Sequence, residues 1–325
     1  MKRVTQKDTN PFPHSDSNKR YYTYDYYLRT TYGGKCAKVT LDGGFTCPNI
    51  DGTKGKGGCI YCSARGSGDF SPAPTLSLAE QYALQTARIR EKWETPRFIP
   101  YLQAHTNTYA PIERLRAVYA QALALPGAVA LHIATRADCL PEDVLSLLRE
   151  LSEQIPLTVE LGLQSTSEKT ARRILRGHTY AEFLDGYHRL RERVPRARVS
   201  IHLINGLPEE SREDMLKTVT DVARLFPDEV KLHLLHVLKG TPLAVLYERG
   251  DYVPLTLEEY ADTVVSQLRL LPPDVVIGRL TGDGAAEDLL APAWSLKKLT
   301  VINEIDKRMA NGGFSQGDLC KLHKK

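Results

Sequence analysis

Along most of this chain, short apolar and β-branched runs alternate with longer amphipathic segments. The runs are "CAKVTLD", "RFIPYLQ", "AVALHIA", "LTVELGL", "RVSIHLI" and "EVKLHLL". Between them lie "LSLAEQYALQTARIREKW", "IERLRAVYAQALAL", "PEDVLSLLRELSEQ", "AEFLDGYHRLRERV" and "REDMLKTVTDVARLF". The last places Met215, Leu216, Val219, Val222 and Leu225 on one stripe of a 3.6-residue period. Six strands alternating with helices predict βαβ units, a parallel sheet and an α/β fold. Crossovers of one hand curl such a sheet towards a barrel or wind it both ways, and in either case ligands bind at the strands' carboxyl ends.

The flanks differ. Residues 1–19 are polar and proline-bearing, which predicts a flexible leader. The stretch "RYYTYDYYLRTTYG" then supplies six tyrosines with Arg20 and Arg29 among them, either a platform for stacked bases or a helix packed on the core. From residue 257 the chain adds two helices around "VVIGRLTGD" and a Lys-rich tail; "GRLTGD" is polar for a seventh strand.

Composition narrows the classes. With 325 residues, 42% hydrophobic and 25% charged, the chain has material for one large α/β domain with extensions. A net charge of +4 is compatible with nucleic acid without demanding it. The longest weakly polar run, "QALALPGAVALHIA", is shorter than a membrane span, and the N-terminus lacks a signal peptide's apolar stretch, so the expectation is a cytoplasmic protein with no membrane partner.

Six cysteines stand at 36, 47, 59, 62, 139 and 320. In such a chain the trio in "CPNIDGTKGKGGCIYC" argues for metal rather than disulfides. A structural zinc site needs four ligands, and Cys36 lies inside the first expected strand. A cubane iron–sulfur cluster held by Cys47, Cys59 and Cys62 fits better, its fourth iron left for a cofactor. Glycines 55, 57 and 58 would let backbone N–H groups approach the sulfides.

Here the chain resembles a known family. "LDGGFTCPNIDGTKGKGGCIYC", "YLQAHTNTYAP", "TRADCLPEDV", "VELGLQSTSEKTARRILRGHT", "IHLINGLPEE", "LHLLHVLKGTPL", "RLTGD" and "LAPAWSLKK" are similar to radical S-adenosylmethionine (SAM) enzymes. The resemblance is to the branch related to the Elongator catalytic subunit, and within it to the YhcC/YtqA-like (MnmL) family. It implies a partial (β/α)6 barrel, with a radical SAM core over 20–256 and a C-terminal extension over 257–325 packed on it. It also implies a [4Fe-4S] cluster, SAM, and a one-electron reductant such as flavodoxin or ferredoxin.

The same resemblance assigns cofactor contacts. Tyr61 resembles the residue bordering the adenine, and Gln103 and Thr106 stand in "QAHTN" where the superfamily has a Gly-rich segment facing the SAM amino group. Gln164 and Arg176, twelve residues apart with Arg176 on the following helix, resemble a pair whose Arg meets the SAM carboxylate; a helix-terminal cation is the plainer reading of Arg176. His202 aligns with a ribose contact, or is a hydrogen-bonded core histidine. Thr135 and Asp138 are placed for ribose hydroxyls, Asp138 alternatively for a helix cap, and Glu160 points to the same mouth or partners a buried arginine. His233 and His236 fall on opposite faces of one strand, while Arg279 and Asp283 are substrate contacts or an ion pair.

For function the resemblance implies a 5′-deoxyadenosyl radical acting on the tRNA wobble uridine, trimming a carboxymethylaminomethyl group to aminomethyl. A radical SAM enzyme for a small molecule or peptide is the alternative, and a non-catalytic iron–sulfur sensor the third. An anticodon stem-loop would be met by Lys54, Lys56, Arg172, Arg173, Lys297 and Lys298.

Overall fold

The computed structural model describes residues 12–66, 68, 71–92, 94–282, 284 and 286–322. The strands are β1 (Ala37–Leu41), β2 (Phe98–Leu102), β3 (Leu131–Thr135), β4 (Leu157–Gln164), β5 (Arg198–Asn205), β6 (Glu229–Leu234), β7 (Val237–Leu238), β8 (Val276–Arg279) and β9 (Leu289–Ala291). The first six coincide with the six expected runs. The main sheet runs β1-β2-β3-β4-β5-β6-β8, parallel throughout, and β7 pairs with β9 antiparallel. The polar "GRLTGD" region therefore begins inside a seventh strand, whose first residues Val276 and Ile277 are buried.

The helices are α1 (Tyr24–Tyr32), α2 (Leu78–Arg90), α3 (Ile112–Leu123), α4 (Glu142–Ser152), α5 (Glu168–Arg173), α6 (Tyr180–Arg193), α7 (Arg212–Ala223), α8 (Pro242–Glu248), α9 (Leu257–Leu270) and α10 (Lys298–Asn311). Local chemistry starts several of them. Ser77 with Glu80, Thr179 with Glu182, Ser211 with Asp214 and Thr256 with Glu259 form reciprocal capping boxes. Each cap is worth about 1 kcal/mol.

The strand alternation sorts the sheet into two faces. Val39 and Leu41, Val159 and Leu161, Val199 and Ile201, and Val230 and Leu232 belong to one buried cluster with Leu145, Leu148, Phe183, Leu190, Val219, Val264 and Leu268 of the helices. Burying each such side chain contributes about 1.5–3 kcal/mol. The other face carries Lys38, Glu160, His202 and Lys231. Lys38 and Lys231 both reach the Glu160 carboxylate. Flat strands about 4.8 Å apart would put β1 out of reach of β4 for these side chains, so the sheet must curl. The architecture is the expected partial barrel.

The tyrosine-rich segment is α1, which buries Tyr27 and Leu28 and packs against β8. Its Tyr24 hydroxyl lies 3.5 Å from His132 Nε2, so this is the core-packing reading of the segment rather than an open base platform. Residues 1–11 of the expected leader lie outside the described residues, and 12–19 make ion pairs: His14 with Asp274 at 3.0 Å, Asp16 with Arg29 at 2.8 Å, and Lys19 with Asp306.

Glu210, in the connection from β5 to α7, accepts a hydrogen bond from Ser165 Oγ. Burial pushes its carboxyl up to about 7. A raised acid stabilises the fold while protonated, so this contribution is present below about pH 4.5 and lost as pH rises through about 7. Glu210→Gln is expected to flatten the pH dependence of the denaturation midpoint across that window and to raise stability above it. A variant as pH-sensitive as the native chain would refute the assignment.

Candidate cluster and cofactor site

At the carboxyl ends of the strands lies a cavity of about 520 Å³. Cys47, Cys59 and Cys62 all line it. The loop that carries them is folded by its own backbone: Ile50 N donates to Cys47 O at 2.8 Å, Lys54 N to Pro48 O at 2.8 Å, and Cys62 N to Cys59 O at 3.0 Å. Two of the three glycines hold the loop itself. Gly55 N and Gly58 N donate to Pro48 O and Asn49 O, at 3.2 and 2.9 Å, so these N–H groups hold the loop rather than face the thiols. Gly57 and Gly58 have φ of 79° and 83°, the left-handed conformation that favours glycine.

Two residues that no motif singled out organise this loop. Asn49 is buried and its amide donates to Cys59 Sγ at 3.4 Å and to Leu175 O at 2.5 Å. A Cβ on Gly177 would meet Asn49 Oδ1 at 2.4 Å, and Gly177 has φ 73°, so the close approach needs glycine there. Arg136, also buried, forks onto both Asp138 oxygens at 2.9 Å and donates to Arg176 O at 2.9 Å and Gly177 O at 3.1 Å. A fixed guanidinium fork suits this double role. Lys54 completes the clamp, pairing with Asp138 at 2.7 Å and Glu182 at 2.8 Å.

The contact residues named from the sequence are brought together unevenly. Tyr61, Gln103, Thr106, Thr135, Glu160, Gln164, Arg176 and His202 line the cavity. Asp138 does not. Its carboxylate neither faces the cavity nor caps α4, whose N-terminus at Pro141 has no side-chain cap; it is held by Arg136 and Lys54. Arg176 lies just past the end of α5 at Arg173, its backbone N–H closing the last turn on Ala171 O at 2.9 Å. Its Nη2 donates to Gly162 O at 2.6 Å, and its buried Nε has no partner among the described residues. Gln164 ends β4 at φ 75°, where the register with β5 shifts. A non-glycine residue in that conformation carries strain of order 1–3 kcal/mol, a cost tolerated mostly at functional sites.

Glu160 has no capacity to spare for a ligand. Its Oε1 accepts from Lys38 at 2.6 Å and from His132 Nδ1 at 2.6 Å; its Oε2 accepts from His202 Nε2 at 2.9 Å and from Lys231. The partners are two lysines and two histidines, not the buried arginine. Although burial opposes it, the two ammonium groups and the two imidazole N–H donors hold this carboxyl well below its usual range. His233 and His236 both line the cavity, against the expectation of opposite faces, because β6 ends at Leu234 and strand alternation no longer governs His236. Arg279 lines it too, while Asp283 lies outside the described residues.

The thiols suit a cubane. A cubane spreads its thiolate ligands over separate irons and leaves the fourth iron for a cofactor, which suits three cysteines around one cavity. Cys36 lies before β1, its Sγ 3.5 Å from Gly34 O, and does not line the cavity. The hydrogen bond between the Cys59 and Cys62 thiols holds Cys59 below its usual range and raises Cys62 well above it, with Arg176 favouring the thiolate of both. Thiolate is the ligating form.

Comparison with known proteins agrees with this geometry. The Radical SAM superfamily model matches residues 51–222 and the Radical_SAM C-terminal domain model residues 227–311. The chain is 46% identical over 308 residues to the Bacillus subtilis protein YtqA, covering 95% of each. It is 38% identical over 287 residues to Escherichia coli YhcC, covering 88% of this chain and 91% of that one. A tRNA uridine(34) acetyltransferase of Methanocaldococcus infernus matches at 29% over 158 residues, 48% of this chain and 29% of that protein. The solved structure of N-terminally truncated Elp3 from Methanocaldococcus infernus superposes with a TM-score of 0.65 at 20% identity, covering 86% of this chain and 64% of that one, which shows a shared fold. Among the described residues no helix is long and apolar enough to cross a membrane. A trio of thiols at the carboxyl mouth of a parallel partial barrel, and identity along almost the whole chain, together make this protein a member of the radical SAM superfamily, in the YtqA- and YhcC-like family, with the [4Fe-4S] cluster and SAM that this superfamily uses.

Proposed function

We propose that this radical SAM enzyme acts on the wobble uridine of tRNA, trimming a carboxymethylaminomethyl substituent to aminomethyl. The observation that carries the reading is the match over 158 residues to a protein named for tRNA uridine(34). The cavity volume supports it, being of a size for SAM together with a base extruded from a single-stranded loop. In this reading Cys47, Cys59 and Cys62 hold the cluster, and Arg176 with Gln164 receives the SAM carboxylate. Tyr61 borders the adenine, Gln103 and Thr106 face the amino group, and Thr135 and His202 face the ribose. When bound, SAM and the reduced cluster would supply a 5′-deoxyadenosyl radical. Loss of a hydrogen atom from the carboxymethyl carbon, return of one electron to the oxidised cluster to give the imine, and hydrolysis by water would release the two-carbon fragment as glyoxylate and leave the aminomethyl group. The protein's part is to orient both partners. The setting is cytoplasmic, with flavodoxin or ferredoxin as reductant.

The cations available to RNA are fewer than sequence counting implies. Lys54 is spent on Asp138 and Glu182, and Arg173 pairs with Glu209 at 2.8 Å. Lys56, Arg172 and Lys297 are exposed, and Lys298, next to Lys297, is pushed down to about 8 by partial burial and by Arg279. Stem-loop affinity should fall steeply with salt, and Lys297→Glu with Lys298→Glu should lower the log–log slope by about two as well as weakening binding. Modified-nucleoside analysis of tRNA from cells lacking the protein tests the substrate. Accumulated carboxymethylaminomethyl uridine is expected; an unchanged profile, or deoxyadenosine formation stimulated by a small molecule and never by tRNA, would overturn the reading.

A further inference from the structure

The loop between Cys47 and Cys59 buries one side-chain amide whose orientation its surroundings dictate. Asn49 is 2% exposed and Cys59 5%. The amide nitrogen of Asn49 stands 2.5 Å from Leu175 O and 3.4 Å from Cys59 Sγ. A backbone carbonyl only accepts, so the nitrogen of this amide, and not its oxygen, must face Leu175. The amide oxygen lies where a Cβ on either Gly55 or Gly177 would meet it at 2.4 Å. Leu175 is itself held at φ 54°, a conformation that strains a non-glycine residue. Arg136 fixes the same stretch by donating to the next two carbonyls, Arg176 O at 2.9 Å and Gly177 O at 3.1 Å. One N–H of the amide is thus committed to Leu175, and the planar group aims the other at the thiol.

A donor placed on a cluster thiolate has a redox consequence. Reduction adds one electron to the cluster, and the negative charge that spreads onto its sulfurs strengthens each hydrogen bond they accept. A donor therefore favours the reduced state and raises the potential. In a buried setting little water competes for the sulfur, and the bond counts for more than it would in solvent. Two other groups reach Cys59, the Cys62 thiol and the Tyr61 hydroxyl. The thiol gives up its proton on ligation and can no longer donate. The Asn49 N–H does not titrate, so it remains.

We propose that Asn49 is a positioning residue that donates its side-chain N–H to the Cys59 thiolate of the bound cluster and holds the cluster's reduction potential up. The inference needs the cluster and not the tRNA reading, and it holds for any substrate.

The test uses anaerobically reconstituted full-length protein, titrated with titanium(III) citrate while EPR follows the reduced cluster. Asn49→Leu keeps the size and branching of the side chain and removes the donor. It is expected to make reduction at least about threefold less favourable, a shift of about −28 mV at about 59 mV per tenfold. Asn49→Ala, which relieves both glycine contacts, should move the potential the same way if the leucine variant loads poorly. An asparagine that only shaped the loop would lower the iron content and leave the potential of the loaded protein unchanged. Native protein carrying 15N only at its asparagine side-chain amides supplies a second readout, which Tyr61 cannot mimic and which decides alone should neither variant hold iron. Pulsed EPR of its reduced cluster is expected to show a weak 15N coupling. An unchanged potential in the loaded variants, or no such coupling in the native protein, overturns the proposal.

Discussion

Cys47→Ala, Cys59→Ala and Cys62→Ala are each expected to yield protein without the cluster and without any SAM cleavage, while Cys36→Ala keeps its full iron. The three thiols share one cavity wall, and a cubane that binds SAM has no fourth protein ligand to spare, so losing one thiol leaves an iron with no substitute close by. Cys36 is at the amino end of β1, away from the mouth, and its Sγ faces Gly34 O. Cys139 is no replacement either: burial pushes its thiol up to about 12, and it is not part of the cavity wall. Anaerobic reconstitution followed by iron and sulfide analysis is the check, with deoxyadenosine as the activity readout. About four irons per chain are expected in the native protein. Stoichiometric zinc, or iron lost from the Cys36 variant, would sink the assignment.

Glu160→Ala is expected to cost about 3–5 kcal/mol of stability, the usual penalty for stranding the partners of a buried ion pair. Four side chains from β1, β3, β5 and β6 converge on that carboxylate. Its removal leaves Lys38 and Lys231 facing each other without a counter-charge and two imidazole N–H groups without acceptors. Chemical denaturation of the variant against the native chain measures the loss; a change below about 1 kcal/mol would mean that water replaces the carboxylate and the network is incidental. The pH dependence carries a sign. A carboxyl depressed by its partners stabilises the fold above its ordinary titration range and loses that contribution as pH falls through the lower folded value. The acid limb of the native stability profile should therefore be shallower in the variant, the remainder coming from other depressed carboxyls such as Asp138 and Glu182.

Much of the architecture is written in local pattern. Strand alternation and helix stripes place β1 to β6 and the helices between them, because burying one face of each element is a property of the residues within it. The capping boxes at Ser77, Thr179, Ser211 and Thr256 are equally local. The cysteine trio, set after the first strand, identifies the mouth of the sheet without any knowledge of its curl. The β8 strand was less legible, since four residues ending in Gly278 and Arg279 offer too short a pattern.

The sequence by itself determined the order of β1 to β6 with their helices and the family, and it pointed to the thiol trio as the cluster's ligands. The tertiary structure alone decided how the side chains are spent. Asn49 and Arg136 hold the cysteine loop through backbone carbonyls of Leu175, Arg176 and Gly177, contacts that no spacing rule encodes. Asp138 and Glu160 looked like cofactor ligands by position, yet their oxygens are taken by Arg136 and Lys54 in one case and by lysines and histidines in the other. Arg176 falls off the helix end and His236 beyond the strand end, so periodicity has no authority over where either points. The physical reason is the curl of the sheet: it brings residues far apart in sequence into one low-dielectric space, where each buried polar atom must find a partner and proximity decides which.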